Sequence, residues 1–108
     1  MALTADYLTK EPARNEIDAL EAPTVLEFGT DWCGYCQAAQ PLIAAAFADH
    51  PQVSHIKVED GRGRPLGRSY GVKLWPTLVF LKAGREIARL VRPQDASEIG
   101  DAMKKIAD

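Results

Sequence analysis

The sequence predicts an α/β sandwich built around a mixed sheet. Short apolar runs bounded by Pro and Gly alternate with longer segments of helical periodicity, and the last two apolar runs are separated only by a tight turn. Strands that alternate with helices and then end in a hairpin are typical of this architecture. At 108 residues the chain has the size of one domain, so we expect residues 1–108 to form a single domain.

Four segments have the length and pattern of strands. The first is a short apolar run, PTVLEFG, of the kind found in buried strands. The second alternates with the period of a half-buried strand, and the last two are joined by AGR, in which Gly84 suits a tight hairpin turn. These strands are expected at residues 23–29, 53–59, 77–82 and 86–91. A short edge strand is also expected within residues 2–8.

Helical segments separate and follow these strands. Residues 33–50 are rich in alanine and carry apolar side chains at helical spacing. The glycine-rich, basic segment 60–73 leaves room for only a short helix. Residues 93–108 begin with Pro93, carry acids early and lysines late, and present one apolar face, which predicts an amphipathic helix. A further helix is expected from about Pro12.

Charge and hydropathy exclude several classes of protein. Thirteen Lys and Arg against fifteen Asp and Glu give a net charge of −2, which provides no field for nucleic acid or an anionic membrane. No segment approaches the roughly 18 to 20 apolar residues of a membrane span, and residues 1–20 lack the basic and apolar regions of a signal peptide. We therefore expect no nucleic-acid or membrane partner and a cytoplasmic location.

Cys33 and Cys36, in the stretch DWCGYCQ, are the only two cysteines of the chain. With His50 and His55 they satisfy the generic spacing of a zinc finger that has two Cys and two His ligands. Pro51 directly follows His50 and should end that helix, which leaves His55 on the next strand. We therefore expect no metal site, and each histidine to be either a surface residue or a core imidazole with satisfied hydrogen bonds.

The position of the cysteine pair favours redox chemistry. A spacing of three residues at a strand-to-helix junction puts both side chains on one face of the first helical turn. Unpaired N–H groups and the positive end of the helix dipole favour a thiolate at Cys33. Cys36 lies one turn deeper and is suited to resolve a mixed disulfide. The structural alternative is a pair of buried cysteines that only pack.

Three motifs carry a resemblance to a known family. WCGYC closes a strand-to-helix junction, Pro41 lies within the following helix, and YGVKLWPTLVFLKAG occupies residues 70–84. Together they resemble the thioredoxin family over about residues 23–107. The resemblance implies a thioredoxin fold, in which a central mixed sheet of four to five strands is flanked by helices on both faces.

The resemblance also implies an activity. A thioredoxin-like protein reduces or exchanges disulfides in protein substrates through a reversible Cys33–Cys36 disulfide, without a bound cofactor. It receives electrons from a separate reductase, and we expect it to act as a monomer. Two alternatives stay open: a disulfide isomerase or oxidase of the same fold, and a thioredoxin-like binding module with incidental redox activity.

Further site residues are implied by the same resemblance. Pro76 would be a cis proline facing the cysteines, with backbone groups around Trp75 pairing with a substrate strand. Glu27 would be a buried acid beneath Cys36 that accepts and donates its proton, with Lys57 as cationic neighbour. Alternatively, Glu27 is a strand-end residue that reaches solvent. The other positions implied to contact substrate are Trp32, Gly34, Tyr35 and Arg92.

Three departures from the family pattern alter the face that a partner meets. Gly34-Tyr35 replaces the usual Gly-Pro and resembles the active sites of periplasmic disulfide isomerases, while Tyr35 adds an N–H that proline lacks, a further possible donor to the Cys33 thiolate. Gly29 replaces an aromatic residue, and Arg92 replaces a glycine of the docking surface. Together with the basic segment 60–73, Arg92 predicts a preference for acidic partners.

Overall fold

A computed structural model describes residues 6–107. Eight elements follow one another along the chain: α1 (Arg14–Asp18), β1 (Thr24–Gly29), α2 (Gly34–Ala48), β2 (Ser54–Glu59), α3 (Pro65–Ser69), β3 (Thr77–Lys82), β4 (Arg85–Val91) and α4 (Ala96–Lys104). Every helix and strand expected from residue 12 onward is present, with ends shifted by a few residues. No helix in this range is both long and apolar enough to cross a membrane.

The four strands form one mixed sheet in the order β2-β1-β3-β4. β1 runs parallel to β2, with Val25 opposite His55 and Glu27 opposite Lys57. β3 pairs antiparallel with both β1 and β4. The count of four strands lies within the predicted four to five, and the mixed sheet of the thioredoxin fold is confirmed.

The edge strand expected within residues 2–8 is reduced to a single bridge in the part of it that the structure describes. Leu8 pairs in parallel with Val58, with its N–H 2.7 Å from the carbonyl oxygen of Lys57. Residues 2–5 lie outside the described range. The bridge is sufficient to lay the segment around Leu8 along the outer edge of β2.

The two faces of the sheet carry separate cores and separate helices. On one face, side chains of α2 and α4 such as Ile43 and Ile99 pack on Val25 of β1. On the other face, Ile17 of α1 packs with Leu26 in a second cluster that also includes a residue of α3. Because successive residues of a strand point to opposite faces, this alternation turns Glu27 to the same side as α2.

Candidate active site

The two cysteines lie at the N-terminus of α2. Cys33 is the N-cap residue in an extended conformation, and its Sγ accepts a hydrogen bond from the N–H of Cys36 at 3.3 Å. Cys33 is 9% exposed, whereas Cys36 is 1% exposed. Cys33, at the N-terminus of α2, is therefore the more accessible of two largely buried cysteines. The N–H that donates to Cys33 Sγ is that of Cys36, so a hydrogen bond from the Tyr35 N–H to the Cys33 thiolate stays a prediction.

Cys36 is held as a thiol. Burial, followed by the hydrogen bond with Cys33, raises the pKa of Cys36 to about 11, against smaller opposing effects of the Thr30 backbone and of Tyr7. A buried thiolate is costly without a compensating partner. At neutral pH, Cys36 must lose its proton to another group before it can act as a nucleophile.

Glu27 lies inside the protein, which rules out the alternative of a solvent-exposed strand end. It is completely buried. Its Oε2 accepts hydrogen bonds from Tyr7 Oη at 3.3 Å and from Gln40 Nε2 at 3.0 Å. Its Oε1 lies 2.8 Å from His55 Nε2, whose role as donor or acceptor depends on the tautomer. Both carboxyl oxygens therefore have polar partners, as a buried acid requires.

Lys57 and His55 reach this carboxyl group from β2. The Lys57 ammonium donates to Gln40 Oε1 at 2.9 Å and lies 4.4 Å from the centre of the Tyr7 ring. The His55 ring packs on Phe47 of α2, with 4.8 Å between ring centres. Of the two expectations for His55, a surface residue or a core imidazole, the structure shows the core imidazole. Lys57 is a buried cation in the neighbourhood of Glu27.

Tyr7 is the functional candidate that sequence reasoning missed. Its hydroxyl group donates a hydrogen bond to Glu27, and its proximity lowers the pKa of Cys36. A Cβ at Gly29 would lie 2.6 Å from Cys36 Sγ and 2.8 Å from Tyr7 Oη. The absent side chain at Gly29 thus leaves the space in which the thiol and the phenol lie, which explains in physical terms why an aromatic residue does not fit here.

A polar pocket of about 270 Å³ opens beside this cluster. Its walls include Tyr7, Thr30, Cys36, Gln40 and Lys57. Such a volume accommodates several water molecules next to polar partners. The buried sulfur is therefore close to solvent on this side, although it is covered on the side of Cys33.

The surface around Cys33 is aromatic. Trp32 is 71% exposed and meets Trp75 edge-on, with 5.7 Å between ring centres. The indole N–H of Trp75 donates to Asp60 Oδ2 at 2.9 Å, which fixes the ring. The Trp75–Pro76 peptide bond is cis, as the resemblance implies.

Arg92 and Tyr35 stack on each other at the same surface. The guanidinium carbon of Arg92 lies 3.8 Å from the centre of the Tyr35 ring. The side-chain Nε of Arg92 donates to the carbonyl oxygen of Trp75 at 2.8 Å, and the backbone N–H of Arg92 donates to the carbonyl oxygen of Pro76 at 2.9 Å. Arg92 therefore connects the segment around Pro76 with the tyrosine between the two cysteines.

The zinc-finger spacing does not correspond to a cluster in space. Between Asp6 and Ala107, no group of three or more His, Cys, Asp or Glu side chains is placed to hold a metal ion. α2 ends at Ala48, before His50, and His55 lies on β2 against Glu27.

Comparison with known proteins agrees with this geometry. The sequence profile of the thioredoxin family, described as Thioredoxin, matches residues 5–105. A thioredoxin of Chlamydia trachomatis is 34% identical over 87 residues, which cover 79% of this chain and 84% of the relative. A thioredoxin of Chlamydia muridarum is 32% identical over 93 residues, covering 84% of this chain and 90% of the relative.

Solved structures give the same result. The reduced form of thioredoxin 2 from Pseudomonas aeruginosa is 59% identical, with a TM-score of 0.86 and 96% of each chain covered. A thioredoxin from Nicotiana alata is 27% identical, with a TM-score of 0.73, and the match covers 88% of this chain and 82% of that one. Thioredoxins act on disulfide substrates and are reduced by a reductase. The chain belongs to the thioredoxin family and is a thiol-disulfide oxidoreductase.

Proposed function

We propose that this protein reduces disulfides in other proteins, with Cys33 as the nucleophile, Cys36 as the resolving thiol and Glu27 as the group that takes the proton of Cys36. The observation that carries the proposal is the unequal placement of the two sulfurs. Cys33 is 9% exposed and its Sγ accepts the Cys36 N–H, whereas Cys36 is 1% exposed.

In the first step, the Cys33 thiolate attacks one sulfur of a substrate disulfide. A new bond forms between Cys33 and that sulfur, the substrate S–S bond breaks, and the second substrate sulfur leaves as a thiolate that takes a proton from water. The positive end of α2 and the N–H of Cys36 stabilise the thiolate form of Cys33.

In the second step, Cys36 loses its proton and attacks Cys33. The Cys33–Cys36 disulfide forms, the mixed disulfide breaks, and the substrate leaves with both of its sulfurs reduced. Glu27 supports this step because it lies on the α2 side of β1 with its oxygens directed at Tyr7, Gln40 and His55. The redox-active pair carries both electrons, so the reaction needs no bound cofactor, and a separate reductase restores the dithiol.

The aromatic surface around Cys33 is the proposed docking site. A substrate strand would lie against Trp32 and Pro76 and pair with backbone groups around Trp75. Gly34 supports this placement, because a Cβ there would meet no atom within 4 Å. We further propose that Tyr35 and Arg92 contact the substrate directly, that the protein works as a monomer, and that it acts in the cytoplasm.

Insulin reduction tests the proposed activity. With dithiothreitol as electron donor, the wild-type protein should accelerate precipitation of the insulin B chain, and Cys33→Ser should not. A His50→Ala variant, altered outside the site, should match the wild type. If Cys33→Ser retained the wild-type rate, the assignment of Cys33 as nucleophile would be wrong.

The direction of the reaction is tested separately. Equilibration with glutathione at known ratios gives the reduction potential of the Cys33–Cys36 pair. A reductase should have a potential near that of thioredoxin, about −270 mV, and far below the roughly −120 mV of a strong periplasmic oxidant. A value near the latter would favour the oxidase alternative.

A further inference from the structure

We propose that the hydroxyl group of Tyr7 is a catalytic group, which passes the proton of Cys36 to Glu27 when the mixed disulfide is resolved. This inference rests on the proposed function and adds to it the path that the proton takes. The path consists of three side chains from three separate parts of the chain: Cys36 of α2, Tyr7 of the N-terminal segment and Glu27 of β1.

The contacts of the Tyr7 hydroxyl group define the direction of transfer. Tyr7 Oη donates to Glu27 Oε2 at 3.3 Å. Tyr7 Oη and Cys36 Sγ lie over the same backbone position, because a Cβ at Gly29 would be 2.8 Å from the first and 2.6 Å from the second. A phenol has one proton to donate, so the bond to Glu27 leaves its oxygen lone pairs for the S–H of Cys36. The arrangement therefore has a donor at the thiol, an acceptor at the carboxyl group and a hydroxyl group between them.

The space for this contact depends on Gly29. A Cβ at residue 29 would lie within 2.8 Å of both Cys36 Sγ and Tyr7 Oη. The two atoms thus converge over the bare backbone of Gly29, at the end of β1. Any larger residue would separate the phenol from the thiol.

The acceptor and the phenol are both held in place. Gln40 and His55 occupy the remaining sides of the Glu27 carboxyl group, at 3.0 Å and 2.8 Å. Lys57 lies over the ring of Tyr7, and the bridge between Leu8 and Val58 anchors the segment that carries it. A proton path needs this fixed orientation, because transfer requires hydrogen-bond distances at both steps.

Electrostatics agree with a transfer role. Burial, followed by the nearby negative charge of Glu27, raises the pKa of Tyr7 well above its usual range. The phenol therefore stays neutral throughout the physiological pH range. It can accept one proton as it donates another, without remaining as a phenolate. The other titratable groups that face this site are His55 and Lys57 of β2, Cys33 beside Cys36, and three acids at the pocket walls, which are Asp6, Asp31 and Glu59.

In the resolving step, the proton of the Cys36 thiol moves to Tyr7 Oη while the phenolic proton moves to Glu27 Oε2. The resulting Cys36 thiolate attacks Cys33 Sγ, the Cys33–Cys36 bond forms and the bond to the substrate sulfur breaks. The substrate sulfur leaves with the electron pair, and the active-site pair has lost two electrons to the substrate.

A chromogenic aromatic disulfide, dithiobis(nitrobenzoate), separates the two steps. Attack by Cys33 releases the first coloured thiolate, and resolution by Cys36 releases the second. In stopped-flow measurements at neutral pH, Tyr7→Phe should leave the first phase unchanged and slow the second about tenfold or more, with water in the adjacent pocket limiting the loss.

Tyr70→Phe is the matched control. Within residues 6–107, Tyr70 Oη is buried without a hydrogen-bond partner, and Tyr70 packs in the cluster on the opposite face of the sheet. Its removal should change neither phase. Unchanged second-phase kinetics in Tyr7→Phe, or an equal slowing of both phases, would overturn the proposal.

A double-mutant cycle distinguishes a proton path from a packing role. Glu27→Gln should slow the second phase by itself, and Tyr7→Phe combined with Glu27→Gln should be little slower than Glu27→Gln alone, because both changes interrupt one path. In Tyr7→Phe the second phase should also accelerate with rising pH as Cys36, with its pKa raised to about 11 by burial, begins to ionise. If the slowing of the second phase in the double variant equalled the product of the slowing in the two single variants, the shared path would be contradicted.

The stopped-flow reaction of the wild-type protein distinguishes failure of the proposed function from failure of the role of Tyr7. If the wild-type protein released only one coloured thiolate, the resolving role of Cys36, and with it the proposed function, would fail. If it released two and Tyr7→Phe behaved identically, only the role of Tyr7 would fail.

Discussion

The carboxyl group of Glu27 and the imidazole of His55 form a buried pair, with 2.8 Å between Oε1 and Nε2 and neither side chain exposed. The pair joins the central strand β1 to the edge strand β2, and the imidazole also packs on Phe47. A buried acid with a missing partner is strongly unfavourable, so this contact stabilises the buried position of Glu27.

His55→Ala should therefore destabilise the fold. The variant removes the partner of Glu27 and leaves a cavity beside Phe47, and the free energy of unfolding should fall by about 3 kcal/mol. Urea denaturation measures the difference. His50→Ala, at a partly exposed position beyond the end of α2, is the control and should change stability by less than about 1 kcal/mol. Equal effects of the two substitutions would show that the buried pair is not stabilising.

Gly29→Ala should disturb both stability and the active site. The new methyl group would lie 2.6 Å from Cys36 Sγ, so the sulfur or the Tyr7 ring must move, at a cost of about 1 to 3 kcal/mol in unfolding free energy. Gly34→Ala is the matched control, because its Cβ would meet no atom within 4 Å and alanine favours the helical conformation. Thermal unfolding of both variants compares them. A Gly29→Ala protein as stable as Gly34→Ala would contradict the crowded geometry.

The two thiols should differ in their alkylation by iodoacetamide. Burial and the bond with Cys33 raise the pKa of Cys36 to about 11, so its thiolate fraction is small at neutral pH and grows as pH rises toward that value. At pH 7 we expect label on Cys33, with Cys36 spared. The Cys33→Ser variant, followed by mass spectrometry across a pH series, isolates Cys36. Rapid labelling of Cys36 at pH 7 in this folded variant would contradict its protection.

Arg92→Gly should weaken the preference for acidic substrates. The charged guanidinium of Arg92 stacks on the ring of Tyr35. Arg92 has a φ of 51°, a conformation that glycine adopts without strain, so the backbone should tolerate the change. The measurement compares kcat/KM for two disulfide peptides that differ only in Glu or Lys beside the cysteine. At low salt, the preference of the wild type for the Glu peptide should shrink several-fold in the variant.

Lys104→Ala removes the same charge from the end of α4 and serves as the control. It should keep the wild-type ratio for the two peptides. An unchanged ratio in Arg92→Gly would show that the stacked guanidinium does not select substrates.

Much of the fold follows from local patterns. Pro and Gly mark the ends of β1, and the helical spacing of apolar residues predicts α2 and α4, because these signals depend on near neighbours in the chain. The hairpin turn was also predictable: Ala83 and Gly84 have φ values of 52° and 76°, as a tight two-residue turn requires. The order of the strands in the sheet was not predicted, because it depends on pairing between segments that are distant in the chain.

The candidate site was predictable only in part. Cys33 and Cys36 lie within a motif that local sequence displays, whereas the role of Glu27 was implied only by the family resemblance. The alternation of residues 53–58 placed His55 and Lys57 on one strand face, but contact with Glu27 depends on the register of β1 against β2, which is not a local property. Tyr7 lies in the segment where an edge strand was expected, but that segment is joined to the sheet by one bridge at Leu8, and no motif marks the Tyr7 hydroxyl group as functional.

The most direct test of the cysteine roles is trapping of the mixed disulfide. Cys36→Ser removes the resolving thiol and leaves Cys33 in place, so incubation with oxidised insulin should yield a covalent adduct that survives without reductant. Peptide mapping by mass spectrometry should find the substrate cysteine joined to Cys33, and dithiothreitol should release it. Absence of any adduct, from a folded Cys36→Ser protein whose wild-type form reduces insulin, would contradict nucleophilic attack by Cys33.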